Sequence, residues 1–355
     1  MPAISVDTFF ACSLMVLLAL SAMAGTSKLL YPYVDNAADE NVAERYREIS
    51  RYLLLNDGTP ADWGQGGQTI PAAFGLARIG SEIPYELDIN KVSRLSSASL
   101  YALNYADIFT AFEMPDTAFR IEVKPLFTAN INLSSTFELA NETTYQFEIL
   151  TEKHGIPVQV ELKCYVVAEN YLDSSLALAS DGKISVNVTL PNDINGPALL
   201  VALARSAYDV RIASFSGYAF AHNAREPSAR STFLRLSPLN YSFTASFLYS
   251  PANLSSAYAL SFSHNSTLTQ IANSNESASY QIPRFKDASP TLIVVTGWNA
   301  TAFFTEWTAY PLVPVQMGAD FAGSVARSDV FAYTYMVTIN SVIYESTVWL
   351  GGPRE

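Results

Sequence analysis

The sequence predicts an α+β chain that is mainly β: an N-terminal transmembrane helix, a small helical subdomain, then one or two antiparallel β-sandwich domains. Three observations carry this reading. From Thr8 to Ser27 no residue is charged, and about 20 helical residues span the roughly 30 Å of a bilayer's hydrocarbon core. Between residues 35 and 113 apolar side chains recur at helical spacing. From Phe119 onward the period shortens to two, the mark of strands with one buried face.

Bulk composition agrees. A chain of 355 residues is too long for one ordinary core, so two or three domains are expected. Apolar residues make up 49% and charged residues only 15%, against a usual charged share of about 25%. With 20 Tyr and 20 Phe, this mixture fits β-rich domains outside the cytoplasm. The 21 basic and 33 acidic residues leave a net charge of −12, with no basic block. Such a chain repels a phosphate backbone, which excludes nucleic acid as a partner. The two cysteines, Cys12 and Cys164, are far apart and form neither a disulfide framework nor a CxxC metal motif. They read as unpaired structural thiols.

The first element, residues 8–27, reads as a retained anchor whose partner is membrane lipid. Ala22-Met23-Ala24 before Gly25 has the form of a leader cleavage site, but the basic n-region of a secretory leader is missing: the first basic residue is Lys28. Asp7 before the run and Lys28 after it would place the bulk of the chain in the cytoplasm by the positive-inside rule. The glycosylation sequons described below place it outside, and they outweigh one lysine because long domains translocate largely regardless of it. Ser21 and Gly25, four apart, would let two such helices approach closely and self-associate.

Ala3-Ile4-Ser5-Val6-Asp7, followed by Thr8-Phe9-Phe10, resembles the opening of archaeal type IV pilin-like proteins with class III signal peptides. The resemblance implies that Pro2 precedes the processing point and that Ala3 is the first mature residue. It also implies that Asp7 meets the N-terminal amine of a neighbouring subunit inside a membrane or filament core. A lone carboxylate at the edge of an apolar helix needs such a partner; the alternative role for Asp7 is a helix N-cap at the membrane surface. The chain departs from the family in two ways. Its leader is only Met1-Pro2, with no basic residue, and Pro2 replaces the small residue that precedes the cut.

Tyr31-Pro32-Tyr33 marks a membrane interface, with aromatics at headgroup level and a helix-breaking Pro. Asp35 to Leu55 then predicts an amphipathic helix with Val42, Tyr46, Ile49 and Leu53 on one face. Asn56-Asp57-Gly58 stops it, and Pro60 and Trp63 fold the following loop back. This helix, turn and tryptophan resemble a recurrent segment of the same pilin-like surface proteins, as do FGLA (74–77) and LDINKVSRL (87–95). Residues 88 to 113 predict a further helix capped by Asp88, with Leu100, Leu103, Ile108 and Phe112 on its apolar face, closing at Met114-Pro115-Asp116.

The clearest strand carries Val158, Val160, Leu162, Cys164 and Val166 at spacing two. Ser180-Asp181-Gly182 and the alternation Ile184, Val186, Val188, Leu190 follow, ending at Pro191. Together they read as a pair of core strands in an antiparallel sandwich. The pattern looks like the Ig-like or transthyretin-like modules repeated in surface proteins. The polar stretch Asn223 to Ser231 is a candidate linker. Beyond it, residues 232–236, 241–249, 257–262, 291–296 and 330–339 read as strands. The expected domains are 1–30 (anchor helix), 31–117 (helical collar), 118–228 (first sandwich) and 229–355 (second β-rich domain). A single large sandwich over 118–355 is the alternative.

Sequons begin at Asn132, Asn141, Asn187, Asn240, Asn253, Asn265, Asn275 and Asn299, all in the strand-rich portion. That confinement fits a glycosylated outer surface. Asn187, between Val186 and Val188, is modifiable only where its strand face meets solvent.

Chemistry is not evident. His154, His222 and His264 lie on separate turns without metal-ligand spacing, and no nucleophile-elbow, zincin or nucleotide-loop motif occurs. No catalytic residue, metal, cofactor or small-molecule ligand is expected. The sequence thus predicts a non-enzymatic, single-pass surface protein with its bulk outside the cell, acting as an adhesin or envelope component. A pilin-like filament subunit is the first alternative and an exported enzyme the second.

Overall fold

The computed structural model describes residues 14–21, 23, 41–114, 117–179, 181–249, 252–300, 302–321 and 330–351. The chain divides into two compact units, Met1–Arg51 and Tyr52–Glu355. In the first unit, residues 14–21, 23 and 41–51 are helical, the last run continuing to residue 55. The rest of the expected 8–27 span, with Pro2, Ala3, Asp7, Cys12, Gly25 and the Tyr31-Pro32-Tyr33 break, lies outside the described residues.

The second unit is mainly antiparallel β, preceded by a helical collar. Asn56 ends the entering helix: its side-chain oxygen accepts from Gly58 N at 2.7 Å. Gly58 sits at φ 75°, and a Cβ there would lie 2.5 Å from the Ala73 carbonyl oxygen, so only glycine fits. Trp63 is fully buried against Phe74 and donates from Nε1 to Gly75 O at 3.0 Å.

The single helix expected over 88–113 is instead two short ones, α1 (Ile89–Ser93) and α2 (Tyr105–Phe112). Asp88 does cap α1, accepting from Asn90 N and Lys91 N at 2.8 and 3.1 Å, and Asn104 caps α2 in a capping box with Asp107. The helical period breaks between them because the buried Arg94 is engaged by loop carbonyls, and Ser99 turns its hydroxyl to Tyr101 N. Leu100, expected on the apolar face, is exposed.

Strand β1 (Ala118–Pro125) leads into the first sandwich. Its strands are β2 (Thr128–Glu138), β3 (Glu142–Lys153), β4 (Ile156–Pro157), β5 (Val160–Ala168), β6 (Tyr171–Ala179), β7 (Lys183–Pro191), β8 (Ala198–Ser206) and β9 (Ala213–Phe220). One sheet pairs β3 with β2, β4 and β7; the other runs β6-β5-β8-β9. Phe147, Ile149, Val186 and Leu190 of the first meet Leu162, Cys164, Leu200 and Ala202 of the second in one core. The two strands read from sequence as a pair, β5 and β7, therefore lie in facing sheets, with β6 between them in the chain. Val158 precedes β5.

The second sandwich comprises β10 (Leu234–Leu239), β11 (Ser242–Phe247), β12 (Asn253–Leu260), β13 (Asn265–Thr267), β14 (Thr269–Asn273), β15 (Ser277–Gln281), β16 (Thr291–Asn299) and β17 (Ala302–Tyr310). Its sheets run β10-β11-β15-β14 and β13-β12-β16-β17. The chain then returns to β1. Strands β18 (Val315–Gly318), β19 (Val330–Ile339) and β20 (Val342–Gly351) form a sheet in the order β18-β1-β20-β19. β1 thus belongs to neither sandwich, although the sequence reading placed it in a domain beginning at residue 118. The collar covers this base sheet, Phe119 stacking on Phe112 at 4.9 Å and on Tyr105 at 5.0 Å.

The sandwiches do not hang as separate beads. Tyr165, Val167, Leu199, Val201 and Leu203, on the outer face of β5 and β8, pack with Tyr258, Leu260, Leu292, Val294 and Ala309 of β12, β16 and β17. β8 and β16 are consequently buried on both faces, which is why each reads as an unbroken apolar run. At the edge of this seam the Trp307 indole lies over Gly217, where a Cβ would come within 2.5 Å of the ring.

Candidate functional site

Contacts between base and sandwiches orient the molecule. Arg211 O accepts from Ile343 N at 2.8 Å, and Asn240 N donates to Asn90 Oδ1 at 2.8 Å. These fix the base-proximal ends; the opposite, distal ends of both sandwiches lie side by side. Trp298 Nε1 donates to Glu169 Oε1 at 2.9 Å there, and the Arg225 guanidinium lies over Trp298 at 5.3 Å. The proximal end of the seam is closed by the Arg205–Asp287 ion pair, with Arg205 also 3.9 Å from the centre of the Phe262 ring.

Inside the second sandwich, on the face of β17 opposite to Trp307, Glu306 is buried and accepts from Phe233 N at 2.7 Å and Leu234 N of β10 at 3.3 Å. Burial pushes its carboxyl above the ordinary range, opposed by these N–H donors. Arg230 lies 4.1 Å over Trp307 and donates to its carbonyl oxygen at 3.0 Å. The stretch 223–231 is therefore strapped to the second sandwich through Arg225, Arg230 and the residues just after it. Sequence reasoning missed these groups, since lone Arg and Glu residues scattered through β-rich sequence carry no local signal.

A cleft of about 740 Å³ opens at the distal end of the first sandwich, lined by Leu133, Glu138, Tyr145, Asn192, His222 and Asn223 among others. His222 is buried, and its Nε2 lies 3.1 Å from Pro191 O. A carbonyl only accepts, so Nε2 carries the proton, and Nδ1 accepts from the Tyr145 hydroxyl at 2.8 Å. Asn192 accepts from Thr143 at 2.8 Å and donates to Leu139 O at 3.1 Å. These polar groups are already engaged within the protein and act as a latch closing β2, β3, β7 and β9 together.

Burial lowers the His222 pKa, a shift only partly offset by the bond to Pro191. A lowered folded value means that the neutral ring is the stabilising form. Its contribution is full above the ordinary imidazole pKa of about 6.5 and is lost as the pH falls from there through the folded value. The wild-type unfolding midpoint is expected to drop more steeply than that of His222→Gln as thermal melts are taken from neutral pH to pH ~5; parallel curves would contradict this.

The remaining sequence candidates are dispersed. His154 is exposed in a turn, and His264 stacks on Phe285 at 5.7 Å. Among the described residues no group of three or more His, Cys, Asp or Glu side chains could hold a metal ion. Cys164 is buried in the first sandwich, and desolvation pushes its thiol up to about 12. Asn132, Asn141, Asn187, Asn240, Asn253, Asn265 and Asn275 are exposed, while Asn299 is half-buried. Asn132 and Asn187 share the outer face of one sheet: Glu148 of β3 stands opposite Asn132, and its neighbour Gln146 opposite Asn187. Asn141, Asn253, Asn275 and Asn299 ring the distal ends, and Asn265 opens β13.

At the N-terminus, Leu14, Met15, Val16, Leu17, Leu18, Leu20 and Met23 are all exposed. Ser21 returns its hydroxyl to Leu18 O at 3.1 Å, which satisfies it within its own helix. Among the described residues no helix is long and apolar enough to cross a membrane.

No family model matches the chain, and no curated protein does. Among solved structures, HBP35 of Porphyromonas gingivalis is similar at 13% identity over 52% of this chain and 64% of that one, with a TM-score of 0.19. The FN1–FN3 domains of chicken CNTN1 are similar at 11% identity over 52% of this chain and 67% of that one, with a TM-score of 0.18. The chain thus spans less than two thirds of the length of HBP35. Likenesses this slight bear on neither fold nor function, and the architecture above rests on strand pairing alone.

Proposed function

We propose that this is a non-enzymatic surface protein, held in a membrane by its N-terminal helix and projecting two fused Ig-like sandwiches outside the cell as an adhesin or envelope component. The observation that carries it is the set of exposed apolar side chains Leu14, Met15, Val16, Leu17, Leu18, Leu20 and Met23, inside a run with no charge from Thr8 to Ser27. Seven of the eight sequon asparagines being exposed supports the outward placement. The two facing antiparallel sheets of the first sandwich, four strands in each with β4 only two residues long, support the Ig-like assignment.

Fractionation tests it. The protein should stay in the membrane pellet after an alkaline carbonate wash, and protease added to intact cells should digest its C-terminal bulk. Release into the wash, or full protection from protease, would overturn the proposal. The second reading, a filament subunit, draws on Ala3 and Asp7 at pilin-like positions. Recovery in sheared filaments with a mature start at Ala3 would favour it; an intact Met1 and absence from that fraction would exclude it.

A further inference from the structure

Most long strand edges in the described sheets carry a device that prevents further pairing. β2 has a bulge between Leu133 and Ser135, and β14 one between Gln270 and Ala272. β7 carries Lys183, ion-paired with Glu148, and ends at Pro191. β10 contains Pro238 and lies against β17. β9 lies beside β2. β19 is met by the collar: Leu87 N donates to Thr338 O at 2.8 Å, and Thr338 N to Tyr85 O at 2.9 Å.

β6 differs. It is nine residues long, YLDSSLALA, with no proline, no lysine and no bulge against β5, and no described strand pairs with its other side. Glu169 and Asn170 form a two-residue turn between Ala168 and Tyr171, Asn170 at φ 52°. Such a turn pairs 171, 173, 175, 177 and 179 with β5 and aims the backbone of 172, 174, 176 and 178 outward. Only one guard is present: Asp173 Oδ1 accepts from Ser174 N at 2.7 Å and closes the distal half. The open half, Ser175 to Ala179, bears Leu176 and Leu178, 64% and 71% exposed. These leucines continue the face on which Leu172 joins the apolar seam between the sandwiches.

We propose that this half-edge pairs with its own copy in a second molecule, antiparallel about a two-fold axis through Ala177. The pattern is the reason for choosing a second copy over a foreign strand. Around Ala177 the residues are Leu176 and Leu178, then the small Ser175 and Ala179, so the segment is palindromic in side-chain size, as suits an isologous interface. In that register each Leu176 stands opposite the partner's Leu178 and four leucines cluster on one face; the pairing is confined to Ser175–Ala179, because beyond it Asp173 would stand opposite the partner's Asp181. No sequon falls on β5, β6, β8 or β9, so sugars on the other sheets leave this edge bare; that supporting point alone rests on the extracellular placement proposed above.

Cross-linking in native membranes tests the pairing, using full-length protein with Cys12→Ser and Ala177→Cys. The two Ala177 positions would form a non-hydrogen-bonded pair with Cα atoms about 4.5 Å apart, inside the span a disulfide bridges. Mild oxidation should give a homodimer at least about tenfold more abundant than from Thr189→Cys, an exposed control on β7. Adding Leu176→Lys and Leu178→Lys, which places lysines opposite one another, should lower the dimer yield about tenfold. Equal cross-linking at both positions, indifference to the lysines, or capture of a different protein would overturn it. The comparison of Ala177→Cys with Thr189→Cys decides the matter even if the lysine variant folds poorly. Fractionation reads anchorage and this experiment reads pairing, so the two proposals fail separately.

Discussion

Arg94→Ala is expected to lose about 3–5 kcal/mol of unfolding free energy, in a fold whose total stability is on the order of 5–15 kcal/mol. The side chain is almost wholly buried, and its donors meet backbone carbonyls rather than a carboxylate. Its Nη1 donates to Trp63 O and Thr69 O at 2.5 and 2.7 Å, Nε to Tyr101 O at 2.9 Å, and Nη2 to Gly67 O at 3.3 Å. It also lies 5.5 Å over the Trp63 ring, and the Lys91 ammonium lies 5.8 Å from the same ring. One planar fork therefore organises three stretches of loop that have no ladder of their own. Removing it leaves several buried carbonyls without donors and opens a cavity beside Trp63. Arg94→Lys should recover less than half of the loss, because an ammonium cannot reach the same divergent acceptors. Urea unfolding of the three proteins measures this; a loss below about 1 kcal/mol for alanine would mean that the loops hold without it.

Lys91 obeys the same logic with two acceptors, Asp57 O and Ala77 O, both at 2.8 Å. Burial lowers its pKa, opposed by the negative charges of Asp88, Asp57 and Asp62. Both cations stand in the segment LDINKVSRL, whose pattern shows a capped helix but not what the basic side chains grip.

That contrast marks what could be read from sequence. Asp88 as a cap, the stop at Asn56-Asp57-Gly58 and the alternation on β7 are local statements, made by residues within one turn or one strand of each other, and periodicity reports them. The break between α1 and α2 is not local, because Arg94 draws its acceptors from residues 63 to 101. The union of β1 with β18 and β20 is still less so: Ile121 faces Val348 and Met317 from opposite ends of the second unit. Alternation shows that β1 is a strand but cannot name its neighbour. The histidines illustrate the same limit at the distal cleft. His222 carries no motif, and only the fold reveals that Tyr145 and Pro191 fix its tautomer.

The sequence predicts a strand at 291–296 within β16, does not single out β8, and is silent about what buries either; here the second large effect is expected. Val294→Asp should destabilise the fused sandwiches by about 3–5 kcal/mol, because it sets a carboxylate among the apolar side chains of the seam. Val294 is fully buried among Leu199, Val201, Leu203, Tyr258 and Leu292, whereas its neighbour Val295 points into the second sandwich's own core. Domains joined by small polar contacts move independently, while a large apolar interface joins them into one cooperative body. Calorimetry should accordingly show the wild-type pair melting in a single transition. In Val294→Asp that transition should fall by about 6–20 °C or split in two. If the sandwiches were merely tethered modules, the substitution would lower only the second. The outcome bears on the proposed role, since a fused pair holds its distal surface at a fixed distance from the base, and a hinged pair does not.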